Sequence, residues 1–282
     1  MNFKNFKYYF RLYFKYQPRT REQLDILLDR DDVEYEHINV SHITDMSFLF
    51  CPDSSFTEDV DVVTHKLKPN QKGLINWNVS NVIDMRAMFC RASDFNQPIG
   101  NWNVSNVTDM SEMFCGALSF NKPIDSWDVS NVTDMPGMFC RAKLFDKCID
   151  EWDVSNVTNM SEMFKEAKAF NHPIGNWKVS KVTNMSEMFW GAISFNQPLE
   201  NWNVSNVKNM KEMFKGATSF NQPIENWNVP NVVDMRGMLY DAKSFKQKIP
   251  NWNISYNYNA KEMLNIVRMN LSEIASTLKN GS

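Results

Sequence analysis

Apolar and polar positions recur along this chain in a fixed pattern. Trp stands at 77, 102, 127, 152, 177, 202, 227 and 252, a strict 25-residue ladder, and the other apolar columns keep step with it. Met85 to Met235 form one Met column, Met88 to Met263 a second, and Phe89 to Phe214 and Phe95 to Phe245 two aromatic ones. A period between about 20 and 50 residues marks a stack of units, each burying its apolar face only against its neighbours. Within a unit, Trp102 and Val104 alternate with polar Asn103, which predicts a short parallel strand. Met110, Met113, Phe114 and Ala117 then fall at i, i+3, i+4 and i+7, which predicts a helix of about two and a half turns. Asp109 with Glu112 three residues on resembles a capping box opening that helix. The expected fold is an α/β, leucine-rich-repeat-like solenoid of 25-residue strand-helix coils with capped ends.

The rest of the unit and both ends fit that expectation. The Asn beside each Phe, such as Asn96 and Asn121, is placed to bond the backbone of its own and the next coil. Residues 1–37 read as an N-terminal cap, in which Thr20 and Gln23 box the start of a short helix with Leu24, Leu27 and Leu28 on one face. The solenoid runs over 38–269, with Ile38 replacing Trp in a degenerate first coil and an insertion at 52–73 that carries acidic Glu58, Asp59 and Asp61. Residues 270–282 read as a closing helix and tail, with Val267, Leu271, Ile274 and Leu278 at helical spacing. Phe3, Phe6, Phe10 and Phe14, interleaved with Lys and Arg, are expected to cover the open end of the stack; a helix lying on an anionic membrane is the other reading.

Composition narrows the function. The 282 residues are 43% hydrophobic and 22% charged, which excludes disorder and a bilayer-embedded chain as the main reading. A net charge of -3 argues against nucleic acid as a partner. No apolar run approaches the roughly twenty residues of a membrane span, and no secretory signal opens the chain. Cys90, Cys115 and Cys140 stand 25 residues apart, with Cys51 in the matching place of the first coil and Cys148 outside the column. They read as half-exposed structural residues, because CxxC spacing and a neighbouring His, the usual marks of a metal site, are missing. The four His are scattered, and no phosphate loop or catalytic spacing occurs, so neither an enzyme nor a cofactor is expected.

The unit W-[ND]-V-S-N-V-T-[DN]-M-S-E-M-F-x-x-A-x-x-F-N-Q-P-I resembles the repeat of the BspA-like leucine-rich-repeat surface proteins, over about 38–269, and Pro18 to Leu24 resembles the segment that often precedes it. The resemblance implies a bacterial surface or secreted protein that binds host or bacterial proteins.

What remains is a non-enzymatic, monomeric module that binds a protein partner on the surface where units differ. The position after each Met-Phe pair varies most. It places Lys165, Trp190, Lys215 and Tyr240 in one column, with Ile193 nearby, as the first candidate binding surface. Asp128, Asp153 and Lys178, each following a Trp, form the second candidate face. Two other readings stand beside it: a solvent-facing Trp track for an extended carbohydrate, and an intracellular scaffold or delivered effector.

Overall fold

A computed structural model describes residues 14–52, 65–68, 72–248 and 252. The aromatic residues Phe3, Phe6 and Phe10, the acidic part of the insertion and the expected closing helix lie outside them.

Seven parallel bridges join Asp45, Asp84, Asp109, Asp134, Asn159, Asn184, Asn209 and Asp234 in order, so the coils stack in register. The apolar columns fill one continuous core between them. Phe89, Phe114, Phe139, Phe164, Phe189 and Phe214 stack from coil to coil with ring centroids 5.4–5.8 Å apart. Each lies about 4 Å from the second Phe of its own coil, as Phe114 does from Phe120 at 4.1 Å. The Trp ladder faces this core. Trp102 to Trp227 are 3–4% exposed, and each indole N–H donates 2.9–3.2 Å to a carbonyl of the preceding coil, as Trp152 does to Ile124. That bond explains why a polar-tipped aromatic ring is tolerated inside.

The path within a coil differs from the expected strand and helix. Trp102 and Val104 are buried and Asn103 is exposed, as alternation predicts, but the bridge between coils sits seven residues beyond Trp102, at Asp109. Residues 110–117 form two successive tight turns rather than a helix. Met113, Cys115 and Ala117 donate to the carbonyls three residues back, while Met110, Glu112, Phe114 and Gly116 donate to the next coil. A helix opening after Asp109 would direct the amides from Met113 to Ala117 to their own i−4 carbonyls and leave Phe114 and Gly116 none to give to the neighbour. Four-residue turns bury the same i, i+3, i+4 and i+7 positions as a helix does, so apolar spacing alone does not separate the two.

The turns need left-handed backbone at two places per coil. Glu112 has φ 55° and Gly116 φ 70°, and the same pair recurs as Arg141 with Gly137, Glu162 with Glu166, and Glu187 with Gly191. For a non-glycine residue this conformation costs about 1–2 kcal/mol. Every one of these residues from Ala87 to Gly216 donates its amide to the following coil, for example Glu112 to Pro136 at 2.8 Å and Gly116 to Cys140 at 2.7 Å. The strain is therefore offset only when the neighbour is present.

Asp109 does not cap a helix. Its Oδ1 accepts from the Ser111 amide two residues on, at 2.8 Å. Asp84, Asn159, Asn184 and Asn209 do the same, an Asx turn that leads the chain into the left-handed turns. The second polar ladder follows expectation, since the Asn96 side chain accepts from the Asn121 amide of the next coil at 3.0 Å and the bond repeats down to Lys246.

At the N-terminal end, helix α1 spans Arg21–Leu28, with Thr20 accepting from the Gln23 amide. Gln23 reaches back to the Arg19 amide, one residue before the cap. Leu24 and Leu28 close over the core. Ile38 is buried in the place of Trp, and Met46, Phe48 and Phe50 donate to the next coil as their repeat counterparts do. The insertion is more than a surface loop. His65 is 5% exposed and sits between two α1-side carboxylates, with Nε2 2.8 Å from Asp25 and Nδ1 2.8 Å from Asp29.

Two stability outcomes follow from these columns. Trp152→Ala empties a buried column and loses an indole bond, so it should lower unfolding free energy by about 3–5 kcal/mol. Asp153→Ala removes an exposed Asx-turn acceptor, bonded to the Ser155 amide at 3.0 Å, and should cost only about 0.5–1 kcal/mol. Denaturant titration of both variants checks the difference, and equal losses would contradict the assignment of faces.

The second outcome concerns pH. Burial, set against the Arg86 amide bond and reinforced by the Asp109 charge, holds the Asp84 carboxyl above its ordinary value. A carboxyl whose pKa is raised by folding penalises the folded state once pH exceeds the unfolded value, about 3.9. Asp84→Asn keeps the turn acceptor, as Asn159 shows, and removes the partly buried charge together with its repulsion from Asp109. It should stabilise by roughly 0.2–1 kcal/mol at pH 7, and the gain should vanish as pH falls through 4. Melting curves of the pair across that range test this, and a gain that persists at low pH would contradict it.

Candidate surface column and thiol ladder

The stack brings the first candidate residues together. Each sits five residues after the first Met of its coil, at the second tight turn, so Lys165, Trp190, Lys215 and Tyr240 occupy one column on successive coils. The Lys165 ammonium lies 4.3 Å from the Trp190 ring centroid and the Lys215 ammonium 4.7 Å from it. Lys215 is also 5.7 Å from the Tyr240 ring. Trp190 is therefore half-buried under two cations rather than an open ring, while Tyr240 is 38% and Ile193 42% exposed. The exposed apolar area of this face comes from Tyr240 and Ile193, with Trp190 serving to order the lysines.

A parallel carboxylate column holds those lysines from the other side. Glu162 and Glu187 each lie 2.7 Å from the Lys165 Nζ, and Glu212 lies 2.9 Å from that of Lys215. Burial works against the Lys165 charge, but the hydrogen bonds to Glu162 and Glu187 outweigh it and hold its pKa above the ordinary lysine value. The sequence marks this network only in the E-x-x-K spacing of Glu162 to Lys165 and Glu212 to Lys215. The bond from Lys165 to Glu187 crosses coils and has no local signal.

The second candidate face holds together less well. Asp128 and Asp153 are exposed, and each accepts from the Ser amide two residues on, at 3.1 and 3.0 Å. They serve turns first. The Ser155 bonds, with smaller help from Lys178 and Lys181, hold the Asp153 carboxyl below its usual range.

In the earlier coils the first column is made of thiols. Cys51 and Cys90 are buried, Cys140 is 7% exposed, and Cys115 is half-buried. The column is thus more enclosed than half-exposed structural residues would be. Their sulfurs form a line of hydrogen bonds from Cys51 through Cys90 and Cys115 to Cys140. At Cys90 the bond with Cys115 favours the thiolate, but the bond with Cys51 and burial outweigh it, and the thiol is pushed up to about 12. Cys115 is pushed up to about 12 in the same way, against the bond from Cys140. Beside them a cleft of about 290 Å³ is lined by Glu112, Cys115, Gly137, Cys140 and Glu162, among others. Gly137 stands where Glu112 and Glu162 have a side chain, and a Cβ there would lie 3.1 Å from the Glu112 Cγ. Among the described residues no helix is long and apolar enough to cross a membrane.

Comparison with known proteins agrees with the repeat. No curated protein and no solved structure matches the chain. The family described as "Mycoplasma protein of unknown function, DUF285" matches twice in tandem, over 61–177 and 158–276, which together span more than three quarters of the sequence. Two tandem, overlapping matches to one family over coils that share their hydrogen bonds make this a repeat-containing member, and the chain belongs to that family.

Proposed function

We propose that the chain is a leucine-rich-repeat-like solenoid of the BspA-like kind, and that it works as a non-enzymatic module for protein-protein interaction or adhesion. The observation that carries this reading is the Lys165, Trp190, Lys215 and Tyr240 column. The core columns repeat with little change from coil to coil, while this position changes from Cys to Lys, Trp and Tyr. Cation–π contacts and the Glu162, Glu187 and Glu212 carboxylates order its long side chains before any partner arrives. An ordered lysine loses less rotamer freedom on binding than a free one. Tyr240 and Ile193 then offer exposed apolar area beside fixed charges, the mix found at contact anchors. The carbohydrate alternative depends on a solvent-facing Trp track, and the ladder indoles are turned into the core.

The test leaves Trp190 in place, because removing it would release both lysines at once. Protein carrying Ile193→Asp and Tyr240→Ala should melt with the parent. It should capture roughly tenfold less or worse of whatever protein the parent retains from native cells, the scale of a lost anchor. Undiminished capture would move the interaction surface elsewhere, with Asp128, Asp153 and Lys178 as the next face to vary.

A further inference from the structure

In this stack, residues 25 apart in sequence are neighbours in space, so ligands for one ion do not need local CxxC spacing. Cys90, Glu112 and Cys115 show this: their sulfur and carboxylate atoms all lie within 4.8 Å of one another. Glu112 and Cys115 share one tight turn, closed by the Cys115 amide to the Glu112 carbonyl at 2.9 Å, and Cys90 occupies the same column one coil earlier.

The later coils show what the position is built to hold. Glu162, Glu187 and Glu212 occupy the same place as Glu112 in their coils, and each is neutralised by a lysine ammonium from the Lys165 or Lys215 position. In the coil of Glu112 that lysine is replaced by Cys115. Among the described residues no ion pair or hydrogen bond reaches the Glu112 carboxylate, although it is half-buried; the charge of Glu162 opposes it, and those of Arg86 and Arg91 favour it without an ion-pair contact to it. This step of the column thus lacks the contacting lysine that the later coils have, and two sulfurs stand in its place. The cleft along Glu112, Cys115 and Cys140 gives an ion and its water a route in.

We propose that Cys90 Sγ, Cys115 Sγ and the Glu112 carboxylate bind one thiophilic d10 cation, of which Zn2+ is the probe of choice, with water from the cleft in the fourth position. Two thiolates and a carboxylate are a donor set that Zn2+ accepts. Two Zn–S bonds of about 2.3 Å at a tetrahedral angle put the sulfurs about 3.8 Å apart, so from a separation within 4.8 Å the two sulfurs close by about 1 Å at most. Each thiol passes its proton to solvent as its metal bond forms. The ion then takes the electrostatic place of the missing ammonium and ties the coil of Met85 to that of Met110. This site is separate from the proposed binding surface and does not depend on it.

The test uses reduced, untagged full-length protein carrying Cys148→Ser, which removes the exposed thiol, and Co2+ as the spectroscopic probe. One equivalent of Co2+ should give a thiolate-to-metal charge-transfer band with tetrahedral visible bands, and Zn2+ should displace it. Cys115→Ser should abolish the charge-transfer signal. Glu112→Gln, which keeps the side-chain volume, should keep thiolate absorption while weakening Zn2+ binding by more than roughly tenfold. Melting of the metal-free variants checks that the fold is intact, and if Cys115→Ser fails to fold, Glu112→Gln decides alone. Absence of a charge-transfer band in the parent, or Zn2+ affinity unchanged in Glu112→Gln, overturns the proposal.

Discussion

The structure depends on one exchange between neighbouring coils: residues in left-handed backbone give their amide hydrogens to the next unit. Glu112, Arg141, Glu162 and Glu166 adopt a conformation that L-residues avoid, and each does so where its N–H meets a carbonyl of the following coil. A lone unit has the strain without the bond. Stacking is thus built into the local backbone as well as into the apolar columns, and the Asx turns at Asp84, Asp109 and Asn159 lead the chain into the strained turns.

This arrangement explains how much could be read in advance. The period, the core columns, the Trp ladder facing inward, the Asn96-type ladder and the Thr20 to Gln23 start of α1 all express themselves as residue identities at fixed spacings. The backbone path within a coil did not. Tight turns at 110–117 bury Met110, Met113, Phe114 and Ala117 as a helix would, so spacing alone fits both, and the deciding fact, the direction of alternate amides, leaves no mark in an apolar pattern. The occasional Gly at 116, 137, 191 and 216 was the available hint, since glycine adopts positive φ without strain. The candidate site was legible as a variable column but not as a network, because the bonds of Lys165 to Glu187 and of His65 to Asp25 join residues 22 and 40 apart.

The same column carries different chemistry along the stack. From Cys51 to Cys140 it is a line of buried and half-buried sulfurs, and from Lys165 to Tyr240 it is cations alternating with aromatic rings. Because the core beneath does not change, substitutions at this position alter surface chemistry without altering the coil. That separation between a nearly constant interior and a variable column is what stacking similar turns allows, and it is the physical basis of the proposal that the column binds a partner.

Residue-resolved hydrogen exchange under native conditions tests the central claim most directly. If the stack is held by inter-coil donation, the amides of Glu162, Phe164 and Glu166 in the middle coils should be protected to the level of global unfolding, with Thr158 beside them donating back to Thr133 and equally slow. Fast exchange at Glu162 and Glu166, with protection confined to amides bonded inside their own coil, would contradict the account.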